Sequence, residues 1–419
     1  MPQTESMVVA TELERVLPKV PTLFDRDDVF YSSIEKRPVE VVSARDMRIP
    51  LELRPGGFFG YFDSENGDLG VGDGPTYEKA VISTVNMKHA IQWTTKSEWA
   101  TDDKRKAVLN NLRELLAKSM KEFRRQVDSQ CMTAGNGVVA TVTSVATNTP
   151  AGFDTITCTT DGYGVRLLRY GQRVNVYNAA RTTNRTAAAP LKITAIDLQN
   201  KTFQIATGTS GIIGTDVILP EGLTGSTPVG LFGVPYHVNA STAGSWLGLP
   251  RSTTPEVVAN RVNAAGALAL PHGRLALNKI GDRVGMDNGF KPTAWMHPAQ
   301  QQAYEELGQL VSMINKAPKE EGLNLYFNDN MQIAGCPISK SYSWDKTRID
   351  FIINDLWGRA EMKSAGFYEV DGRKIFEMRG PSGGVATSQV FYLVVSFNLF
   401  VKNPAACSYI DGLAVPAGY

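Results

Sequence analysis

The side chains able to do acid–base, nucleophilic or metal chemistry are few and scattered. The chain holds four histidines, His89, His237, His272 and His297, and four cysteines, Cys131, Cys158, Cys336 and Cys407. No two histidines stand three or four residues apart, so no helix face carries a metal-binding pair. HExxH, GxxxxGKS/T and GxSxG are all absent, which leaves zinc-protease, P-loop and hydrolase-elbow chemistry without a local signature. Gly70-Val71-Gly72-Asp73-Gly74 is glycine-rich but lacks GxGxxG spacing, and no helical pattern follows it directly; it reads as a turn, not a phosphate cradle. The acid pairs Asp102–Asp103 and Glu305–Glu306 fall at a helix start and on a helix face, where capping and solvation account for them. A nucleophile assembled in space leaves no such trace, but nothing local points to one. The cysteines are too far apart for a disulfide framework or a zinc knuckle, so they read as buried free thiols. The sequence therefore points away from an enzyme, with no catalytic, cofactor-binding or metal residue expected.

Composition narrows the remaining classes. The 419 residues suggest roughly two or three structural units. Net charge is +1, so no global field recruits nucleic acid or an acidic membrane. The N-terminus, MPQTESMVVATELERV, lacks the basic start and apolar core of a signal peptide. The most apolar run, Phe391 to Val401, is too short to span a bilayer and contains Ser396 and Asn398. Synthesis in a cytosol and no membrane partner are expected.

The element around which the chain is arranged is the stretch from Thr101 to Cys131, which has no Gly and no Pro. Val108, Leu112, Leu115, Leu116, Met120, Phe123, Val127 and Cys131 recur at helical spacing. Thr101 can cap the first turn, and Asp102 and Asp103 suit the positive end of the dipole. At about 1.5 Å per residue such a helix is roughly 45 Å long and acts as a spine. Its basic residues, Arg113, Lys118, Lys121, Arg124 and Arg125, alternate with Glu114, Glu122 and Asp128. They are expected to face outward as a solvated or salt-bridging face rather than a nucleic-acid patch.

Before the spine, residues 1–50 read as an arm. Five prolines interrupt it, yet Leu13, Val16, Leu17, Val20, Leu23 and Phe24 are apolar and need a surface to lie on. Residues 51–98 read as a long hairpin with a Gly/Asp-rich tip from Asp63 to Gly74. Ala80, Ile82, Thr84 and Asn86 alternate on one face of its return half. After the spine the period changes to two. VVATVTSV, FDTITCTT, QRVNVYN, LKITAIDL, KTFQIATG and TDVILPEG predict a small β-barrel or sandwich inserted over 138–225. Residues 228–250 read as packed loop. Pro255 predicts a helix through TTPEVVANRVNAAGALAL, with a second over about 272–285. PTAWMH, 331–341 and 347–356 read as strands, PAQQQAYEELGQLVSMI as a helix, and VFYLVVSFNLFVKN as a long closing strand. The fold class is α+β.

This order resembles the major capsid protein of tailed bacteriophages, the Hong Kong 97 fold. The residues that carry the resemblance are the hairpin, the spine, Trp295-Met296-His297-Pro298 opening a helix, Ile333-Ala334-Gly335-Cys336-Pro337-Ile338, and Phe397-Asn398-Leu399-Phe400-Val401-Lys402-Asn403-Pro404. It covers most of the chain outside the inserted β block. It implies an arm at 1–50, an extended loop at 51–98, a spine at 99–137, the insertion at 138–225, an axial domain at 226–360 and peripheral return strands at 361–419. It further implies an icosahedral shell of pentamers and hexamers around double-stranded DNA, with portal, scaffolding and decoration proteins as partners. Inter-subunit contacts are then expected at Leu13, Leu17, Phe24, Phe58, Phe59, Tyr61, Phe62, Arg113, Lys121 and Arg124. Some relatives join the loop to a neighbour through a Lys–Asn isopeptide bond, but the tip here holds no Lys, so no crosslink is expected. No scaffolding segment precedes the arm, so a separate scaffold or none is expected. The rival readings are an encapsulin, a shell of the same fold that holds cargo, and a soluble enzyme without a recognisable motif.

Replacing Leu115 or Leu116 with Asp puts a charge into the apolar stripe of the spine. Particle yield should fall to nothing; a normal yield on a sucrose gradient would count against that stripe being packed.

Overall fold

The computed structural model describes residues 29–34, 40–41, 46–57, 59–61, 70–94, 105–148, 152–159, 164–186, 189–206, 211–223, 230–285, 292–315, 332–379 and 385–416. The chain opens with a short helix, α1 (Val29–Ser33), then β1 (Glu40–Val41), β2 (Asp46–Arg54), β3 (Thr76–Ser83) and β4 (Val85–Thr94). The long helix α2 (Arg105–Gln130) follows. Next come β5 (Ala140–Asn148), β6 (Phe153–Cys158), β7 (Arg173–Tyr177), β8 (Leu191–Asp197), β9 (Thr202–Ala206) and β10 (Val217–Pro220). A short helix α3 (Val234–His237) and a ribbon of β11 (Ser245–Trp246) and β12 (Leu249–Pro250) lead to β13 (Asn260–Gly266) and helix α4 (Leu270–Val284). Then follow β14 (Thr293–Met296), helix α5 (Pro298–Asn315), β15 (Gln332–Ile333), β16 (Cys336–Lys340) and β17 (Ile349–Ile352). β18 (Trp357–Phe367), β19 (Ile375–Arg379), β20 (Val385–Val401) and β21 (Ser408–Leu413) close the chain. The chain divides into two compact units, one drawing on 84–129 and 361–397, the other on 33–83, 130–360 and 398–419.

In the first unit, α2 runs 26 residues, about 39 Å at 1.5 Å per residue. No Gly or Pro interrupts it. Phe123 and Val127 are buried, and the His89 ring lies 6.2 Å from that of Phe123. The sheet is built on β20, which β4 pairs antiparallel with Leu393 opposite His89 and Phe391 opposite Ile91. Phe391, Leu393, Val395 and Phe397 repeat at period two and are buried. Trp93 packs on Phe391 at 5.7 Å, and Tyr31 of α1 meets Phe397 edge-on at 5.4 Å. β18 and β19 complete the sheet beside β20.

The expected outward basic face of α2 holds for Lys118, Lys121 and Arg124, which are exposed, but not for Arg125. Arg125 is buried and its guanidinium sits 3.0 Å from Glu122. Asp128 is buried too and accepts the Tyr31 backbone N–H at 2.8 Å. At Asp128 the reason is α1, whose Tyr31 backbone meets the last turns of α2 on a face that helical spacing alone marks as solvated. A partner so distant in sequence leaves no local trace.

The strand ladder also differs from the expected 51–98 hairpin. β2 pairs β3 from Asp46–Ser83 to Arg54–Thr76, and the partner then changes: β4 pairs β20. The inward phase slips by one residue at Thr84, from Ala80 and Ile82 to Met87, His89, Ile91 and Trp93. A slip of one flips every side chain to the other face, so the two halves serve different sheets.

In the second unit, the six short strands close into an antiparallel barrel in the order β10-β5-β6-β9-β8-β7. Each run expected from the period-two pattern is present. Val142, Ile156, Cys158, Val174, Val176, Ile193, Phe203, Ile205 and Ile218 fill the interior. A barrel this small is filled by side chains and has no edge to protect. Beside it in sequence stands a six-stranded sheet, β13-β21-β17-β14-β16-β15, with α4 and α5 supplying Ala276, Leu277, Ile280, Tyr304 and Leu307 to its core.

The helix expected from Pro255 is not formed. Pro255 opens only a 3-10 turn, Pro255–Val257, and β13 follows, pairing β21 in parallel from Asn260–Ser408. Asn260 and Val262 are buried while Arg261 and Asn263 are exposed, the alternation of a strand. The β-branched Val257 and Val258 and the partner strand outweigh the proline signal.

Gly233 marks a close approach of two chain segments. Its N–H donates to Thr133 O at 3.0 Å, and the next N–H, of Val234, to Cys131 O at 2.8 Å. A Cβ at position 233 would lie 2.2 Å from the Cys131 carbonyl oxygen and 2.4 Å from that of Thr133. Those atoms are backbone and no rotamer relieves the clash. Gly233→Ala should lower unfolding stability by about 1–3 kcal/mol or more, read as a drop in urea midpoint at unchanged m-value.

Candidate functional site

The residues expected to make contacts do not gather into one pocket. Leu13, Leu17 and Phe24, and in the hairpin Phe58 and Phe62, lie outside the described residues. Arg113 lies on α2, its side chain also outside the description. Lys121 and Arg124 are exposed on α2. Phe59 and Tyr61 stand out: they are 88% and 98% exposed and touch edge-on at 5.7 Å. Val71, across the loop, is 94% exposed. Gly57 N–H donates to Asp73 O at 2.7 Å and holds the two sides of the loop together. Such a cluster has no core to join within its own hairpin. Arg54, at the loop end of the β2–β3 ladder, pairs with Glu256 at 2.8 Å, and Val81 N–H, nearer the foot, donates to Leu247 O at 2.9 Å, so the ladder is held at both ends.

The titratable groups are sequestered, each for a physical reason. His237 is fully buried. Trp246 Nε1–H donates to its Nδ1 at 3.0 Å, so the ring proton sits on Nε2, which donates to Leu399 O at 3.0 Å. Tyr236 and Trp357 stand edge-on to the ring at 5.2 and 5.4 Å. Burial pushes its pKa down to about 3, against the pull of the Leu399 carbonyl. An imidazole held neutral by an indole and a carbonyl is a packing element, not a proton shuttle. Asp350 is likewise buried; burial raises its pKa, although Arg348 Nε donates to it at 2.8 Å and Trp344 Nε1 at 2.9 Å. The Arg348 guanidinium lies 4.0 Å from the centre of the Tyr409 ring. All four cysteines are buried free thiols. Burial pushes Cys158 and Cys407 up to about 12 and Cys336 to about 11, so none of these three is a thiolate nucleophile near neutrality. Among the described residues no three His, Cys, Asp or Glu side chains come together as a metal-ligand group. Among them, too, no helix is long and apolar enough to cross a membrane.

No family model matches the chain, and no curated protein matches it in sequence. The fold is nonetheless a known one: that of phage capsid subunits. The capsid asymmetric unit of cyanophage A-1(L) is similar to this chain with a TM-score of 0.58 at 12% identity, over 95% of this chain and 96% of that one. Looser likenesses, both with a TM-score of 0.46, are the capsid of the native GTA particle (12% identity, 97% of this chain and 99% of that one) and the holo-SrpI encapsulin complex of Synechococcus elongatus (10% identity, 98% and 97%). The capsid resemblance expected from element order is thus present in the fold.

The His237 site makes stability depend on pH. Its folded pKa lies below the unfolded value of about 6.5, so the unfolded chain binds the extra proton between the two. Stability is full above pH 6.5 and falls by about 1.4 kcal/mol per unit as pH drops toward 3. Asp350, raised by burial, acts with the opposite sign. Urea unfolding of the wild type and His237→Gln at pH 7, 6, 5 and 4 separates the two; parallel pH profiles would refute the assignment.

Proposed function

We propose that the chain is the major capsid protein of a tailed phage, a structural protein without enzymatic activity. It assembles through copies of itself into an icosahedral shell enclosing double-stranded DNA, built in the host cytoplasm and ending in the virion. The observation that supports this most is the end-to-end likeness to the A-1(L) capsid subunit. In this reading residues 1–50 are the arm, and the β2–β3 hairpin with its loop is the extended loop within 51–98. The α2 helix is the spine of 99–137, and the barrel is the insertion of 138–225. The six-stranded sheet with α4 and α5, apart from β21, which comes from the later segment, is the axial domain of 226–360, and β19, β20 and most of β18 belong to the peripheral return of 361–419. Contacts between copies then run through the arm, through Phe59 and Tyr61, and through Arg113, Lys121 and Arg124. Portal, scaffolding and decoration proteins are the partners this reading implies, with DNA held without sequence-specific contacts.

The physical support is a mismatch within the molecule. Its cores are closed, yet its hairpin carries aromatic side chains almost wholly in water. Exposed apolar clusters on this scale mark surfaces that meet partners. A shell supplies the same partner to every copy, and modest contacts multiply.

The experiment is expression of the full chain, followed by gradient sedimentation and negative-stain imaging. Shells are expected, and a strictly monomeric chain would sink the reading. Nucleic acid inside particles from infected cells separates a virion shell from a cargo compartment. Phe59→Ala with Tyr61→Ala should lower shell yield while leaving subunit melting unchanged, because neither side chain is packed within the chain.

A further inference from the structure

A groove of about 480 Å³ opens on the α4 side of the six-stranded sheet. Leu270, Pro271, Arg274, Leu275 and Asn278 of α4 line one wall; Tyr304 of α5 and Ala334 of the β15–β16 turn line the others. Leu270 and Leu275 are 44% and 45% exposed, although their neighbours Ala276 and Leu277 are buried in the core. The rim is rigid: Tyr304 Oη–H donates to Gln332 O at 3.1 Å, and Ala334 and Gly335 hold φ of 50° and 88° in a tight turn. Two other cations of α4 are engaged with backbone, Lys279 with Arg261 O at 2.6 Å and Arg283 with Val258 O at 2.6 Å. Among the described residues, Arg274 is the cation that lines the groove.

The hairpin loop is the complement of this surface. Residues 55–77 contain Asp63, Glu65, Asp68 and Asp73 and no Lys or Arg. Phe59, Tyr61 and Val71 project from it, and their exposure shows that they do not sit in a groove of their own chain. We propose that the Phe59–Tyr61 knob of one copy seats in the groove around Leu270, Arg274 and Leu275 of another. This rests on the shell reading and names the surface that receives the hairpin.

The chemistry fits on three counts. The groove falls within the roughly 300–1,000 Å³ that binding pockets span. Aromatic side chains in a well-packed pocket are the commonest anchors of interfaces. A guanidinium at the rim meets an acidic loop and attracts the face of a tyrosine ring. Knob and groove are different patches of one chain, so the contact is heterologous and propagates from copy to copy around a ring.

The test is disulfide trapping. One full-length protein carries Tyr61→Cys and another Leu275→Cys; the native cysteines are buried and stay out of the reaction. The two are mixed under assembly conditions, oxidised and run without reductant. A mixed dimer is expected, and the double variant alone should give a ladder of multimers. Tyr61→Cys mixed with Ile213→Cys, an exposed barrel position, is the unmatched control. Arg274→Glu added to the Leu275→Cys chain should cut the mixed dimer about tenfold, as loss of an interface anchor does. No mixed dimer, or one equal to the control, overturns the docking. So does a loop that links only within its own chain, read as thiol loss in the double variant without a ladder. Failure of the unmodified chain to form shells overturns the shell reading instead, and the two failures are told apart.

Discussion

Asn398 joins three stretches far apart in the chain. Its side-chain Nδ2 donates to Ser83 O at 2.8 Å, and its Oδ1 accepts the Phe232 N–H at 3.0 Å. The residue is fully buried in a run of apolar neighbours on β20. A buried amide left without partners costs about 1–3 kcal/mol, so the three segments must arrive together. One position on, the Leu399 carbonyl receives the His237 ring, and that ring positions the indoles of Trp246 and Trp357. The end of β3, the segment that follows the barrel and the closing strand are therefore fixed by adjacent residues.

This arrangement explains which parts of the fold could be read from the sequence. The barrel was legible because its strands are short, regularly spaced apolar runs, and some alternate on their own, as β6 does from Phe153 to Cys158 and β9 from Thr202 to Ala206. The long helix was legible because nothing in it breaks the 3.6-residue period. What failed were features decided by distant partners. β13 is a strand because β21 lies beside it. Asp128 is buried where the α1 backbone donates to it. The hairpin ends at Thr84 because β20 takes up the next strand. The phase slip there was visible in the residues, but its meaning needed the partner.

The surfaces proposed for contact show the same division. Phe59 and Tyr61 were identifiable in sequence, since aromatics between glycines and acids have no local core to join. The groove was not. Leu270 and Leu275 look like Leu277 on paper, and only the three-dimensional position of α4 separates the half-exposed leucines from the buried one. The cysteines did read as buried free thiols, as they are, but the sequence could not show that His237 serves packing. His237 is neutral because it is enclosed, and enclosure is a property of the tertiary structure.

The energetics divide along the same line. The barrel and the six-stranded sheet each close a core from their own residues, so the subunit needs no neighbour to fold there. The hairpin is different. A two-stranded ribbon is marginal alone in water, and this one is held by Arg54–Glu256 at its loop end and by the Val81–Leu247 hydrogen bond nearer its foot, neither of which involves Phe59, Tyr61 or Val71. An exposed ion pair of that kind contributes about 0–1 kcal/mol. Ordering the loop therefore has to be offset by burial against something outside the chain. In the proposed shell, folding and association would draw on separate sets of side chains, so a copy can be fully folded and still wait for its neighbours. A protein built to persist as a monomer would have no reason to leave Phe59, Tyr61 and Val71 in water.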